Sequence, residues 1–150
     1  MKIYLDVSCL NRPFDDQSQV RVRLESEAIA IIFERIDGGL WEQAASRMVV
    51  IEVLAIPDET RRRRVRQLLP QAIIELTPAT FLRARKLIAL GVHAADATHV
   101  AAAEEMSADF FLTCDDRLLR KCQNVELALQ VTVANPLDWI RGQEYVADAR

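Results

Sequence analysis

Five short apolar runs, at residues 3–5, 40–45, 72–76, 109–113 and 127–133, are separated by longer stretches of helical periodicity, and this alternation restricts the chain more than anything else in it. Between the first two runs, Ile29, Ile32, Phe33 and Ile36 recur at helical spacing behind a Ser18 N-cap, and Gly38-Gly39 stops the helix. Residues 48–56 form a nearly all-apolar helix broken at Pro57, and an arginine-rich helix over 58–69 ends before Pro70. Residues 78–90, with Pro78 in the first turn and Gly91 at the stop, predict a further helix; 93–106 predicts another. A helix over 115–121 follows the fourth run. Asn135-Pro136 has the order of an N-cap and first helical residue, opening a terminal turn at 137–140. The run at 40–45 reads as a short strand or bridge and the other four as strands. Short apolar strands alternating with helices predict an α/β sandwich around a mainly parallel sheet, in which ligands bind at the carboxyl ends of the strands.

With 150 residues, 51% of them apolar, the chain has material for one core, so residues 1–150 are expected to form a single domain. An acid at position 6 and the lack of any run long enough to span a bilayer point to a cytoplasmic protein without membrane contact. The three cysteines, Cys9, Cys114 and Cys122, lack paired metal-site spacing and are expected to be reduced. A net charge of −3 excludes a wholly basic nucleic-acid-binding surface but leaves room for a local basic patch.

The chemistry concentrates in acids. Asp6 ends the first run, and Asp115 and Asp116 lie just past Phe110-Phe111-Leu112; strand termination and helix capping are the plain alternatives for these three. Glu52 is different, because Met48, Val49, Ala55 and Ile56, its neighbours at three and four residues, are all apolar. Asp96 stands among Val92, His93, His99 and Val100, again without a basic residue one turn away. A lone buried carboxylate costs several kcal/mol or stays protonated, so each needs a partner delivered by the fold. Arginine pairing is one answer, but the arginines cluster at 61–66 and at Arg83, Arg85, Arg117 and Arg120, on faces expected to be solvated. A hard cation, Mg2+ or Mn2+, suits carboxylates better than zinc, which would want more His or Cys.

Tyr4-Leu5-Asp6-Val7-Ser8, Ser46 followed by the helix of Glu52, Asp96-Ala97-Thr98-His99-Val100-Ala101, Leu112-Thr113-Cys114-Asp115 and the closing Val133-Ala134-Asn135-Pro136 occur in this order. In these motifs, which cover almost the whole chain, the sequence resembles the PIN-domain family of metal-dependent ribonucleases, whose best-known bacterial members are the VapC toxins of toxin-antitoxin pairs. The resemblance implies a three-layer α/β/α fold, an acid cluster holding Mg2+ or Mn2+, endonucleolytic cleavage of RNA, frequent homodimers and, for the toxins, an antitoxin partner. Carried onto this chain it makes Asp6, Glu52, Asp96 and Asp115 the catalytic and metal-binding acids, with Ser8 and Thr113 as supporting hydroxyls and Asp116 beside them. One departure is the segment 11–16, Asn-Arg-Pro-Phe-Asp-Asp, where a typical toxin turns directly into a helix. Arg12 there, and Arg61 and Arg62 of the arginine run, are the candidate substrate-binding cations; a polar turn and a solvated helix face are the simpler explanations.

His99 shares a helix face with Asp96 and reads either as a packed, hydrogen-bonded histidine or as a metal ligand or proton shuttle, the first being favoured. The aromatic residues are too scattered for a base-stacking platform. A rival reading from another class is a non-catalytic binding module whose acids hold a structural ion or a basic partner peptide. A nuclease for structured DNA shares the metal chemistry but ordinarily needs additional clamping elements.

Overall fold

The computed structural model describes the backbone of residues 1–148 and the side chains of residues 1–143. Four strands, β1 (Lys2–Leu5), β2 (Glu42–Ala44), β3 (Phe110–Leu112) and β4 (Thr132–Ala134), form one sheet in the order β2-β1-β3-β4. Every neighbouring pair is parallel, with Tyr4 beside Ala44 and Phe111, and Phe111 beside Val133. The chain leaves β1 for β2 on one side and returns to β3 on the other. The strand order therefore reverses at β1 and β3, and the crevice beyond their carboxyl ends is the switch point where open parallel sheets bind ligands.

The helices are α1 (Val7–Asn11), α2 (Val20–Asp37), α3 (Arg47–Leu54), α4 (Glu59–Arg66), α5 (Pro78–Ala89), α6 (Ala94–Glu105), α7 (Asp116–Asn124) and α8 (Pro136–Asp148). They cover both faces of the sheet, giving three α/β/α layers. Strand alternation assigns the faces: Tyr4 and Phe111 stack at 5.2 Å on the side of α6, where Tyr4 also meets His99, while Phe110 packs against Trp139 of α8 on the other. Ile3, Tyr4, Leu5, Phe111 and Leu112 are all essentially inaccessible, as strands covered on both faces require. Among the described residues no helix is long and apolar enough to cross a membrane.

Several local expectations are corrected. Residues 72–76 are not a buried strand: they contribute one parallel bridge, Ile74 to Ser46, and Ile74 is exposed. The bridge prolongs the line of β2 past its end at the outer edge of the sheet, where an apolar run finds a partner on one side only. Residues 127–133 yield only the final strand, because Glu126–Ala128 is a 3-10 turn with Leu127 in solvent and β3 offers β4 just three residues to pair with. Ser18 is not the cap of α2. The helix starts after Gln19, and Ser18's own N–H is taken by Asp16 Oδ1 at 3.0 Å. The terminal turn expected at 137–140 is a helix running to Asp148, with Asn135 Oδ1 accepting from Leu137 N at 2.8 Å to cap it.

Candidate metal centre

The ladder sets the site. Asp6 N–H donates to Leu112 O and Thr113 N–H to Ala134 O, both at 3.0 Å, so Asp6 and Thr113 occupy the last rung of adjacent strands. One carboxylate oxygen of Asp6, Oδ2, accepts the hydroxyls of Ser8 at 2.7 Å and Thr113 at 2.8 Å. Each hydroxyl oxygen in turn accepts a backbone N–H at 3.0 Å, Ser8 from Cys114 and Thr113 from Asp115. Both hydroxyl protons are thereby committed, and the loop after β3 is tied to the helix after β1. Among the described residues nothing donates to the other oxygen of Asp6, although the residue is buried.

Glu52 enters from α3. Its Oε1 accepts from His99 Nε2 at 2.7 Å; His99 Nδ1 meets Tyr4 Oη at 2.7 Å, and Tyr4 Oη meets Ser46 Oγ at 2.7 Å. A carboxylate only accepts, so the pattern assigns the ring proton to Nε2, Tyr4 O–H to Nδ1 and Ser46 O–H to Tyr4. Burial first, and then the charges of Asp6 and Glu52, push the Tyr4 hydroxyl far above its usual range, so it remains a donor. Asp6, Glu52 and His99 each offer a ligand atom within 4.8 Å of the others. Both ring nitrogens of His99 are already bonded, however, so the histidine acts here as the group that aims Glu52.

Asp96 lies in the first turn of α6, half-buried, and no donor among the described residues bonds its carboxylate. Desolvation raises its pKa to about 6, with Asp6, Asp115 and Glu52 adding repulsion and His99 offsetting part of it. Asp115 is the N-cap of α7, its Oδ1 accepting from Arg117 N at 2.9 Å and Leu118 N at 3.3 Å. Capping and proximity to the cluster thus coexist, since capping occupies one oxygen and the residue is exposed.

The remaining sequence candidates lie elsewhere. Asp116 binds Arg21 through both oxygens at 2.5 Å. Arg61 donates to Asp15 Oδ1 at 2.8 Å and to Phe14 O at 2.6 Å, Arg62 donates to Ile56 O at 2.8 Å, and Arg12 faces Asp15 and Glu25, both at 3.2 Å. Arg12 and Arg61 bolt the 11–16 segment to α2 and α4, and Arg62 ties α4 to the end of α3. Sequence reasoning missed Glu25 altogether. It is fully buried on α2 between Arg12 and Arg21 and accepts from Asn135 Nδ2 at 2.6 Å. Its place on the stripe of Val22, Ala28 and Ile29 was the available signal, masked by Arg21 four residues earlier.

Whether the donor set suits a divalent cation follows from its chemistry. Asp6 and Glu52 offer carboxylate oxygens within one ligand-sized group, Asp6, Glu52 and Asp115 act electrostatically on Asp96, and no lysine or arginine forms an ion pair with any of the four among the described residues. Protein donors orient individual oxygens without cancelling their charge, and repulsion from Asp6, Asp115 and Glu52 adds to burial in raising the pKa of Asp96. An oxygen-preferring cation fits. The family model described as PIN domain matches residues 3–124, a span that includes all four acids. No curated protein shows significant similarity to the chain.

Proposed function

The chain belongs to the PIN-domain family, a family of metal-dependent nucleases, and from that premise we propose that it is a Mg2+- or Mn2+-dependent endoribonuclease that hydrolyses phosphodiester bonds in RNA. The observation that carries this reading is the group of carboxylates at the switch point without lysine or arginine partners among the described residues, in which Asp96 is pushed to about 6. Asp6, Asp96 and Asp115 would hold the ion, with Glu52 completing its shell or positioning the attacking water. The ion, when bound, lowers the pKa of coordinated water and offsets the charge of the scissile phosphate.

The chain's own residues do the rest. Ser8 and Thr113 fix one oxygen of Asp6, leaving the other to point into the crevice. His99, backed by Tyr4 and Ser46, fixes Glu52 so that its free oxygen can orient a water for attack. Asp96, whose carboxyl burial and the neighbouring acids raise to about 6 in the metal-free protein, is the ligand whose negative charge a bound cation would stabilise most.

The same proposal includes the toxin role, with an antitoxin whose basic residues would cover the acid cluster, and a homodimer. The test is Mn2+-dependent cleavage of labelled single-stranded RNA by wild type, Asp6→Asn and the Asp6→Asn/Asp96→Asn pair. Each variant should keep its circular dichroism and lose at least about a hundredfold in rate. Undiminished cleavage by the double variant would refute the assignment. Binding of an arginine-rich peptide in the crevice by a wild-type protein that cuts nothing would select the non-catalytic module instead.

A further inference from the structure

The two flanks of the acid cluster differ in how their cations are used. On the side of α2 and α4, Arg12, Arg21, Arg61 and Arg62 are all bonded to carboxylates or backbone carbonyls. On the other side, α7 presents Arg117, Arg120, Lys121 and Asn124 at spacings of three, four and seven residues, and turns Leu118 and Cys122 inward. With His93 these four line an open depression of about 410 Å³. Arg117, Arg120 and Lys121 are exposed, and none has an ion-pair partner among the described residues. Asp116, the acid whose ionisation Arg120 favours, already gives both oxygens to Arg21.

Three cations line one depression that has no acid among its lining residues, in a protein with 22 acidic and 19 basic residues, and such a concentration of like charge favours an anionic partner. Gly91, with φ at +102°, turns the chain after α5 next to the Lys121 side chain. The depression also joins the cluster. His93 is the N-cap of α6 three residues before Asp96, and Arg117 N–H bonds Asp115 Oδ1.

We propose that this face of α7 is the binding groove for the substrate's phosphodiester backbone, so that single-stranded RNA leaves the acid cluster on the α6/α7 side, with Arg117, Arg120 and Lys121 meeting phosphates there. The identity of the ligand rests on the nuclease reading; the polarity of the groove rests on the charges alone. Arg117 and Lys121 are separated by about 6 Å along the helix axis, at ~1.5 Å per residue, a distance one extended strand covers in neighbouring phosphates. On the α2/α4 flank, Arg12, Arg21, Arg61 and Arg62 are engaged by Asp15, Glu25, Asp116 and backbone carbonyls, and the exposed Arg64 and Arg66 of α4 supply the comparison that separates a groove from general basicity.

The test measures binding separately from cutting. In an Asp6→Asn background with Mg2+, the affinity of a short fluorescein-labelled single-stranded RNA is titrated against salt for Arg120→Glu/Lys121→Glu and, as a control with the same change in charge, Arg64→Glu/Arg66→Glu on the exposed side of α4. The α7 pair should weaken binding about tenfold or more and flatten the salt dependence by about 0.7 for each phosphate no longer neutralised. The α4 pair should leave both near the parent values. Lys121→Gln, a milder change, should show a smaller loss in the same direction and guards against a folding artefact. Equal losses for the two reversed pairs, unchanged RNA binding, or loss of binding to polyglutamate with RNA affinity retained would each overturn the proposal. A wild-type protein that cuts RNA while the α7 pair binds like its parent defeats the groove alone; one that binds through α7 and never cuts defeats the nuclease reading alone.

Discussion

Replacing Asp96 with asparagine should make the metal-free protein more stable, although it removes a residue from the site. The carboxyl is raised from 3.8 to about 6 by desolvation and by the acids around it. Two pKa units correspond to about 3 kcal/mol, and because the group is only half-buried, solvent screening reduces the usable part to about 1–2 kcal/mol. A carboxyl raised on folding penalises the native state wherever the native group is ionised. The penalty is full above about pH 6, shrinks as protonation of the folded form sets in, and vanishes below 3.8, where both states carry the proton. Thermal unfolding in EDTA at pH 8 should therefore place Asp96→Asn roughly 3–6 °C above wild type, and the curves should converge near pH 4. Adding Mn2+ should invert the order, since ligand binding to the native state stabilises wild type more than a variant with a weakened site. A variant less stable than wild type at pH 8 in EDTA, or an offset that is the same at pH 4 and pH 8, would show that Asp96 is not held against repulsion, and the reasoning would fail.

Thr113→Val preserves shape but strips Asp6 of one donor and Asp115 N–H of its acceptor; the Mn2+ concentration for half-maximal cleavage should rise by about tenfold to a hundredfold, as read from a metal titration of rate. Glu25→Ala leaves the half-buried Arg12 guanidinium and Asn135 Nδ2 without their shared partner, so urea unfolding should show a loss of about 3–5 kcal/mol, and a loss below about 1 kcal/mol would mean the pairing is incidental.

The cluster was legible where local apolar periodicity conflicted with charge. Glu52 met that criterion and does sit beside Asp6, even though Ile51 and Leu54 on the same short helix face solvent. Asp96 met it and carries the perturbed carboxyl. Glu25 has the same kind of burial but fails the criterion, because one of its two arginine partners stands one turn away and makes it look like a surface pair. The cation assignments read least well. Arg61 and Arg62 look free in sequence, since nothing local announces that a segment far earlier in the chain will supply Asp15 Oδ1 and Phe14 O for Arg61. The parallel arrangement followed from the short apolar runs, whereas strand lengths did not: in a sheet whose shared ladder is three residues long, pairing partners decide where a run stops being a strand.

The acids also differ in how firmly the protein holds them, and this bears on how a site of this kind is assembled. Asp6 is held by two hydroxyls, Glu52 by a histidine and Asp115 by the N-terminus of α7, each through one oxygen. Such donors supply orientation at modest energetic gain, and among the described residues leave the second oxygen of each carboxylate without a directed partner. Among the described residues Asp96 has no such donor, so its position is set by packing in the first turn of α6 and its ionisation by burial and by its neighbours. In a preformed frame of three oriented acids, the fourth is the one whose ionisation depends most on what else enters the crevice. A divalent cation would draw the carboxyl of Asp96 back to its ionised form, and the release of that proton makes metal binding steeply pH-dependent near pH 6. Binding isotherms for Mn2+ should accordingly weaken between pH 7 and pH 5 in wild type and much less in Asp96→Asn; a parallel loss of affinity in both would place the proton elsewhere in the cluster.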